Sequence, residues 1–369
     1  MDITNYLSEV SSAELLEAHS LLWNCSVAHI KSMSLKCAVE LGIHDTIHNH
    51  GQPMTLSELI ASLPIHPSKA QYIYRQMRVL VHSGFFTIQK LDKSTNNRKD
   101  QEEEYYYSLT LASRLLLKEG ALKTKGFFLS QILPEAMAPW HSLSAWFQNN
   151  DATMFETSDG RTFWDYLAQD SRMSDIFNEA LSSDSQLIAE VVLRECREVF
   201  EGLKSMVDLG GGTGTMAKAI AKAFPHISCT VFDLPHVVAD LKGSDNNINF
   251  IGGDMFPDPI PSADAILLKL VLHDWKDEDS LNILKRCREA VSIDGKKGKV
   301  IIIDMVIGDQ NIDKELTEIQ LSFDMTMMAF TLGKERNKME WERLLLGAGF
   351  SHYKIHPALG VRSLIEVYP

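Results

Sequence analysis

Helical spacing dominates the first third of the chain. Apolar residues fall at Leu15, Leu16, Ala18, Leu22, Val27, Ile30, Leu35, Ala38 and Leu41. That pattern predicts a long helix over 12–41, with Gly42 as its cap. Leu56, Leu59, Ile60 and Leu63 predict a second helix, and Thr55 with Glu58 gives it a capping box. Pro67 and Ser68 open a third, with Ile73, Met77, Leu80 and Val81 on one face and Gly84 at its end. The period then shortens. Residues 85–91 and 105–109 read as strands, with the polar stretch 92–104 as an exposed loop between them. Three helices and a hairpin make a winged-helix pattern.

Residues 111–200 read as helical and are dense in large side chains, among them Phe127, Trp140, Trp146, Phe155, Phe163, Trp164 and Phe177. Such density is core, or the lining of an apolar cavity or a partner interface. Phe177, Leu181 and Ile188 share a helix face that leads straight into the next segment, as a roof over a ligand would. From 205 onward short apolar runs alternate with helical stretches. Strands are expected at 205–209, 229–233, 249–251, 263–268, 299–306, 352–357 and 362–368, and helices at 216–224, 281–290, 324–330 and 339–348. The fold class is therefore α/β: a doubly wound, Rossmann-like sheet behind an N-terminal helical, winged-helix-like domain. The expected divisions are 1–118, a helical linker and pocket region at 119–200, and 201–369.

The loop after the first strand of the sheet narrows the chemistry. Gly210, Gly211, Gly212 and Gly214 follow Asp208 and Leu209. Thr215 stands where a dinucleotide fingerprint wants its last glycine, and a P-loop lysine is absent. Asp208 suits a cationic ligand, and Asp233, at the end of the next strand, is placed to accept hydrogen bonds from ribose hydroxyls. A ribose-bearing cation without phosphate is S-adenosylmethionine. An unusual NAD site or a plain tight turn remains open from the loop alone.

His273 stands out among 13 histidines because it follows a strand-like run and precedes Asp274 and Trp275. It is either a loop histidine or a general base. A phenol with a pKa of ~10 is hardly ionised at neutral pH, and a histidine with a pKa of ~6.5 could take its proton during attack. Asp304 and Glu335 are candidate orienting acids, and spacing alone does not select them. His19, His29, His44 and His66 read as structural or exposed, and none shows metal-ligand spacing.

Charge and composition exclude more than they add. The formal net charge is -13, and the third helix carries only Lys69, Arg75 and Arg78. A nucleic-acid surface is therefore not expected, and the winged-helix pattern points to a structural or dimerising use. The five cysteines (25, 37, 196, 229 and 287) form no C-x-x-C pair and read as reduced thiols. The start MDITNYLSEV lacks a signal-peptide pattern, and runs such as AILL (265–268) are too short to span a bilayer. A soluble, cytoplasmic protein is expected.

The set MVDLGGGTG (206–214), FDLP (232–235), GDMF (253–256), LKLVLHDWKDED (268–279), GKVIIID (298–304) and GKER (333–336) resembles the plant S-adenosylmethionine-dependent O-methyltransferases of small phenolics. The likeness runs from about residue 12 to the end. It implies His273 as base with Asp304 and Glu335 beside it. It places the donor, S-adenosyl-L-methionine, against Asp208, Gly210, Gly212, Asp233, Leu234, Asp254, Met255 and Lys269. It puts the acceptor near Phe177, Leu181, Leu270, Trp275, Met328 and Phe330. It implies a homodimer whose N-terminal helices lend residues to the partner's pocket, and no metal, nucleic acid or membrane. Four features depart from other members of the family, the first two of them from the lignin type. Asp304 replaces glutamate, Leu270 a tryptophan and Leu181 a methionine, and KKG (296–298) lengthens a loop. The acceptor is then a flavonoid, isoflavonoid, stilbene or alkaloid phenol rather than a catecholic acid. The alternatives are an N-methyltransferase of the same fold, which would need less from His273, and a ligand-sensing regulator, which would need the basic recognition helix that is missing. A NAD-dependent reductase would require a catalytic Tyr–Lys pair that the chain does not offer.

Overall fold

A computed structural model describes residues 10–90, 105–120, 122–241, 247–292, 298–308 and 313–369. The loop expected at 92–104 and residues 296–297 lie outside them. The chain forms two compact units, residues 1–125 and 126–369. The helical region 126–200, expected as a linker, belongs to the second unit.

In the first unit Ser11 and Glu14 form a capping box that starts α1 (Ser12–Glu40). Leu41 is its C-cap, and Gly42, at φ 70°, instead begins a further helix, α2 (Ile43–His50). The expected capping box of Thr55 and Glu58 opens α3 (Leu56–Ser62). A single 3-10 turn at Pro67–Lys69 leads into α4 (Ala70–His82). The hairpin strands β2 (Phe86–Lys90) and β3 (Tyr105–Leu109) are joined by β1 (Met54–Thr55), so the sheet runs β1-β3-β2. Two residues are too few for a periodicity signal, which is why sequence reading passes over β1. His44 is buried against the Phe86 ring at 5.0 Å, and burial lowers its pKa to about 4. Along α1 the apolar residues face outward, with Leu16, Leu21, Leu22 and Trp23 all more than half exposed.

The second unit is built on a seven-stranded sheet. Its strands are β4 (Ser205–Leu209), β5 (Ser228–Asp233), β6 (Ile248–Gly252), β7 (Ala265–Lys269), β8 (Lys299–Asp304), β11 (His352–Leu359) and β12 (Arg362–Tyr368). Their order is β11-β12-β8-β7-β4-β5-β6, parallel from β8 to β6, with β12 and β11 antiparallel. Alternate residues of the parallel strands feed two cores. Met206, Leu267 and Ile303 pack on one face with Ile188 and Ile220. Val207, Leu268 and Ile302 pack on the other with Ile283, Leu284 and Trp341. Strands buried on both faces read as unbroken apolar runs, which is what 265–268 and 300–303 show.

The covering helices are α5 (Met154–Asp159), α6 (Phe163–Gln169), α7 (Ser171–Glu195), α8 (Thr215–Ala223), α9 (Asp277–Ala290), α10 (Lys314–Phe330) and α11 (Lys338–Gly347). The run expected as one strand at 299–306 breaks at Met305 into β8 and the two-residue β9 (Val306–Ile307). β9 pairs in parallel with β10 (Arg336–Asn337). β4 lies between β5 and β7, so the chain order reverses there. The carboxyl ends of strands at such a point form an open crevice, where doubly wound sheets bind ligands.

Candidate active site

Two cavities meet at that crevice. The smaller is lined by the glycine loop together with Asp208, Met216, Lys269, Ser182 and Ser185. The loop takes its shape from backbone that side chains resist: Gly210, Gly212 and Gly214 have φ of 68°, 54° and 74°. A Cβ on Gly211 would lie 2.6 Å from Cγ of Asp208, and one on Gly210 2.9 Å from Cγ2 of Val271. The loop is therefore bare backbone pressed onto its own strand ends. Asp233 holds it there: Oδ2 accepts from the Gly212 N–H at 2.7 Å and Oδ1 from the Leu234 N–H at 2.7 Å. Asp208 accepts from the Ala217 N–H at 3.2 Å, and burial pushes its carboxyl up to about 7. Its negative charge near neutral pH thus depends on a cation beside it.

Of the expected donor residues, Asp208, Gly210, Gly212 and Lys269 line this cleft. Asp233 and Leu234 stand at the neighbouring end of β5. Asp254 and Met255 follow β6, where Asp254 Oδ1 accepts from the Phe256 N–H at 2.9 Å. The Met255 methyl lies 3.8 Å from where a Cβ on Gly210 would be, which brings that turn against the loop.

The larger cavity, of about 220 Å³, is walled by aromatic and apolar side chains. Phe177, Leu181, Leu270 and Phe330 line it as expected, with Phe163 and Trp140 added. Phe163 meets Phe177 edge-on at 5.6 Å and Phe330 at 5.3 Å, so the wall is a packed aromatic cluster. Two expected residues lie elsewhere. Met328 is not among the lining residues: the cavity face of α10 carries Phe323, Thr326, Met327 and Phe330, and Met328 falls one helical step off it. Trp275 leaves the turn in extended backbone and packs on Phe256 at 4.7 Å, against the core beside α9. Ile188 lies further along α7 from Phe177 and belongs to the sheet core.

Leu181 borders both cavities, and so does the Lys269–Leu270 step, with Lys269 lining one and Leu270 the other. Leu270 has φ 52°, the only positive φ on a non-glycine residue among the described residues. Its N–H donates to the Ile303 carbonyl at 3.1 Å. Left-handed backbone on a branched residue costs about 1–3 kcal/mol and marks a place where the surroundings impose it.

His273 opens into the larger cavity from a short 3-10 turn, Leu272–Asp274. Its Nδ1 is 2.7 Å from Glu335 Oε1 and 3.6 Å from Asp304 Oδ1. Asp304 Oδ1 also accepts from the Met305 N–H at 3.0 Å. Glu335 is thus the direct partner and Asp304 the second carboxylate. A third, Asp274, lies 3.7 Å from Nε2 and lines the cavity. Burial disfavours the imidazolium, but Asp304, Asp274 and Glu335 together outweigh it and raise the His273 pKa to about 10. Burial in turn pushes Asp274 up to about 6 and Asp304 to about 7. The ligand atoms of His273, Asp304 and Glu335 lie within 4.8 Å of one another, close enough to hold a metal ion. The 2.7 Å hydrogen bond fits a base and its orienting acid.

These distances arise from the β9–β10 pairing, which ties the segment after Asp304 to the one after Glu335. Residues 140–351 match a family model for the O-methyltransferase domain, and residues 23–119 match one for the O-methyltransferase dimerisation domain.

The chain belongs to the O-methyltransferase family.

This O-methyltransferase is 55% identical over 369 residues to trans-resveratrol di-O-methyltransferase of Vitis vinifera, covering 100% of both chains. It is 52% identical to tabersonine 16-O-methyltransferase of Catharanthus roseus over 366 residues, covering 98% of this chain and 100% of that one. The human N-acetylserotonin methyltransferase structure, in complex with SAM, superposes with a TM-score of 0.76 at 22% identity, covering 98% of each chain, and shares the fold.

Two residues of the site carry roles that the motifs did not announce. Arg336 is fully buried and donates to the Leu272 carbonyl at 2.8 Å, the Trp275 carbonyl at 2.9 Å, Ser280 Oγ at 3.1 Å and Asp277 Oδ1 at 2.9 Å. It clamps both ends of the turn that carries His273. Gly333 packs so closely on that turn that a Cβ would overlap the His273 carbonyl oxygen. Both lie in the GKER motif, but nothing in their spacing says what they touch.

Proposed function

We propose that this enzyme methylates a hydroxyl of a small, planar plant phenolic, with S-adenosyl-L-methionine as donor and His273 as general base. The observation that carries the reading is the His273–Glu335 pair at the wall of the aromatic cavity. In the neutral ring, with Nδ1–H donating to Glu335, Nε2 keeps its lone pair for an acceptor hydroxyl. The enclosing Phe163, Phe177 and Phe330 fit a flat aromatic ring.

The smaller cleft fits the donor. Its floor is glycine backbone, and at Gly212 a Cβ would meet nothing within 4 Å, so a ligand can lie against it. Asp233 would take the ribose hydroxyls, Asp254 and Met255 the adenine, and Lys269 the methionine portion. When bound, S-adenosyl-L-methionine supplies an electrophilic sulfonium methyl and leaves as S-adenosyl-L-homocysteine. The chain's own part is to hold the hydroxyl in line and accept its proton at Nε2, and alignment alone is worth several kcal/mol in such displacements, roughly 7 in favourable cases. Asp304, Asp274 and Glu335 stabilise the imidazolium that results. No metal is required for this chemistry.

The protein acts as a homodimer through its dimerisation domain, and the outward Leu21, Leu22 and Trp23 of α1 supply an apolar contact face. We further propose that the partner's N-terminal helices complete the acceptor pocket. No helix of the described residues is long and apolar enough to cross a membrane, and a cytoplasmic site fits the five free cysteines.

His273→Ala should abolish turnover while S-adenosyl-L-homocysteine still binds by calorimetry, and loss of that binding would overturn the assignment. A panel of stilbene, flavonoid, isoflavonoid and alkaloid phenols with labelled donor, read by product mass and position, identifies the acceptor. Strong preference for caffeate over all of them would count against the planar-polyphenol reading.

A further inference from the structure

Three buried charges sit behind the donor cleft. Asp184 comes from α7, Lys269 from the end of β7 and Arg362 from the start of β12. Asp184 Oδ2 accepts from Lys269 Nζ at 2.6 Å, and Asp184 Oδ1 lies 2.9 Å from Arg362 Nη2. The three side chains are only 5–8% exposed. One carboxylate therefore serves two cations, and Arg362 Nε has no partner. A buried surplus of positive charge is unfavourable unless an anion arrives to balance it. Asp208 also bears on Lys269, but its own burial favours its neutral form.

Only Lys269 of the three lines the cleft, beside Ser182, Ser185 and Asp208. We propose that Asp184 and Arg362 are positioning residues that hold the Lys269 ammonium at the cleft and leave its charge free, so that the site selects a nucleoside ligand carrying a carboxylate. This rests on the reading of the cleft as the donor site. Without Arg362, Asp184 would pair with Lys269 alone and neutralise it. With Arg362, the carboxylate is shared and one positive charge remains for the ligand. Burial lowers the Lys269 pKa, and an incoming carboxylate would restore its full charge.

Calorimetry on the full-length protein separates this from a triad that merely ties α7 to the sheet. The two probes are S-adenosyl-L-homocysteine and its decarboxylated analogue, 5′-(3-aminopropyl)thioadenosine, which keeps the amine and lacks the carboxylate. The wild-type protein should prefer the carboxylate form. In Arg362→Met that preference should fall about tenfold, the size expected for a hydrogen-bonded charge, through weaker S-adenosyl-L-homocysteine binding with the analogue unchanged. Arg362→Lys should recover part of it. Equal weakening of both ligands, or an unchanged ratio, overturns the proposal. If Arg362→Met does not fold, Arg362→Gln decides: it keeps a hydrogen-bond donor toward Asp184 without the charge, the preference should fall about tenfold, and an unchanged ratio overturns the proposal. Wild-type protein that binds neither ligand overturns the donor reading itself, whereas wild-type protein that binds both equally overturns only the selectivity.

Discussion

His273 owes its properties to acids that sequence spacing does not select. Asp304 and Glu335 lie 31 and 62 residues beyond it, and only a folded sheet edge makes them neighbours. The motif reading named all three but could not rank the acids. The structure ranks them by distance, 2.7 Å for Glu335 and 3.6 Å for Asp304. The pH dependence follows. The base must be neutral to accept a proton, and the surrounding carboxylates raise its pKa to about 10. In the free enzyme kcat/KM should therefore climb through the alkaline range. Glu335→Gln removes one charge that favours the imidazolium, so the His273 pKa falls and the rising limb moves to lower pH. The plateau rate should drop roughly 10- to 100-fold as the ring loses its orienting partner. A limb that stays in place would separate Glu335 from the base. Gly333→Ala is the sharpest steric test, because its Cβ overlaps the His273 carbonyl oxygen. Its kcat should fall about 100-fold or more through misplacement of the ring, with donor binding by calorimetry retained.

Among the elements, the long periodic ones were legible and the short ones were not. The capped helices α1 and α3 and the apolar strands β7 and β8 announce themselves. β1, β9 and β10 are two residues each and carry no period, yet β9 with β10 brings Asp304 and Glu335 to His273. The first half of α10 has the same problem: Lys314, Glu315, Thr317 and Glu318 give no apolar stripe, so only its second half was expected. Arg336 shows what such a short element can hold. Arg336→Met would remove the guanidinium's hydrogen bonds to the Leu272 and Trp275 carbonyls and leave the Ser280 hydroxyl to serve both, a loss of about 1–3 kcal/mol. Urea titration should show that loss, and kcat should fall with it. On β12, between β11 and β8, Glu366 accepts from Lys299 Nζ at 2.7 Å, Tyr368 Oη at 2.7 Å and His356 Nε2 at 2.8 Å. Although burial raises its pKa, these partners outweigh it and bring the carboxyl down to about 2. A depressed carboxylate stabilises the fold above its unfolded pKa, and that contribution is lost as pH falls toward 2. Glu366→Gln should accordingly flatten the decline in thermal midpoint between about pH 4.5 and pH 2.

For the molecule as a whole, fold class and family were readable because motif order survives along the entire chain. The division of the chain was read differently, as three segments where the structure forms two units. The aromatic side chains of 127–177 explain this. They look like an independent pocket region in sequence, but in space they pack on Phe330 and α7 and so join the sheet unit. The assembly is tested by Leu22→Glu, which places a charge on the outward apolar face of α1 and should shift sedimentation from dimer toward monomer. Dialysis against EDTA should leave turnover unchanged. A loss restored by a divalent ion would instead assign the His273, Asp304 and Glu335 cluster to metal binding.

Leu270 has a practical consequence for redesign. Its left-handed backbone lets neighbouring side chains serve different compartments, but it also means the fold already tolerates what glycine prefers. Leu270→Gly should relax the backbone and enlarge the acceptor chamber in one change, leaving Lys269 anchored by Asp184. Leu270→Gly should therefore change which acceptors turn over while donor binding by calorimetry stays the same, and Leu270, the one side-chain-bearing residue with left-handed backbone among the described residues, is the position to test for new specificity.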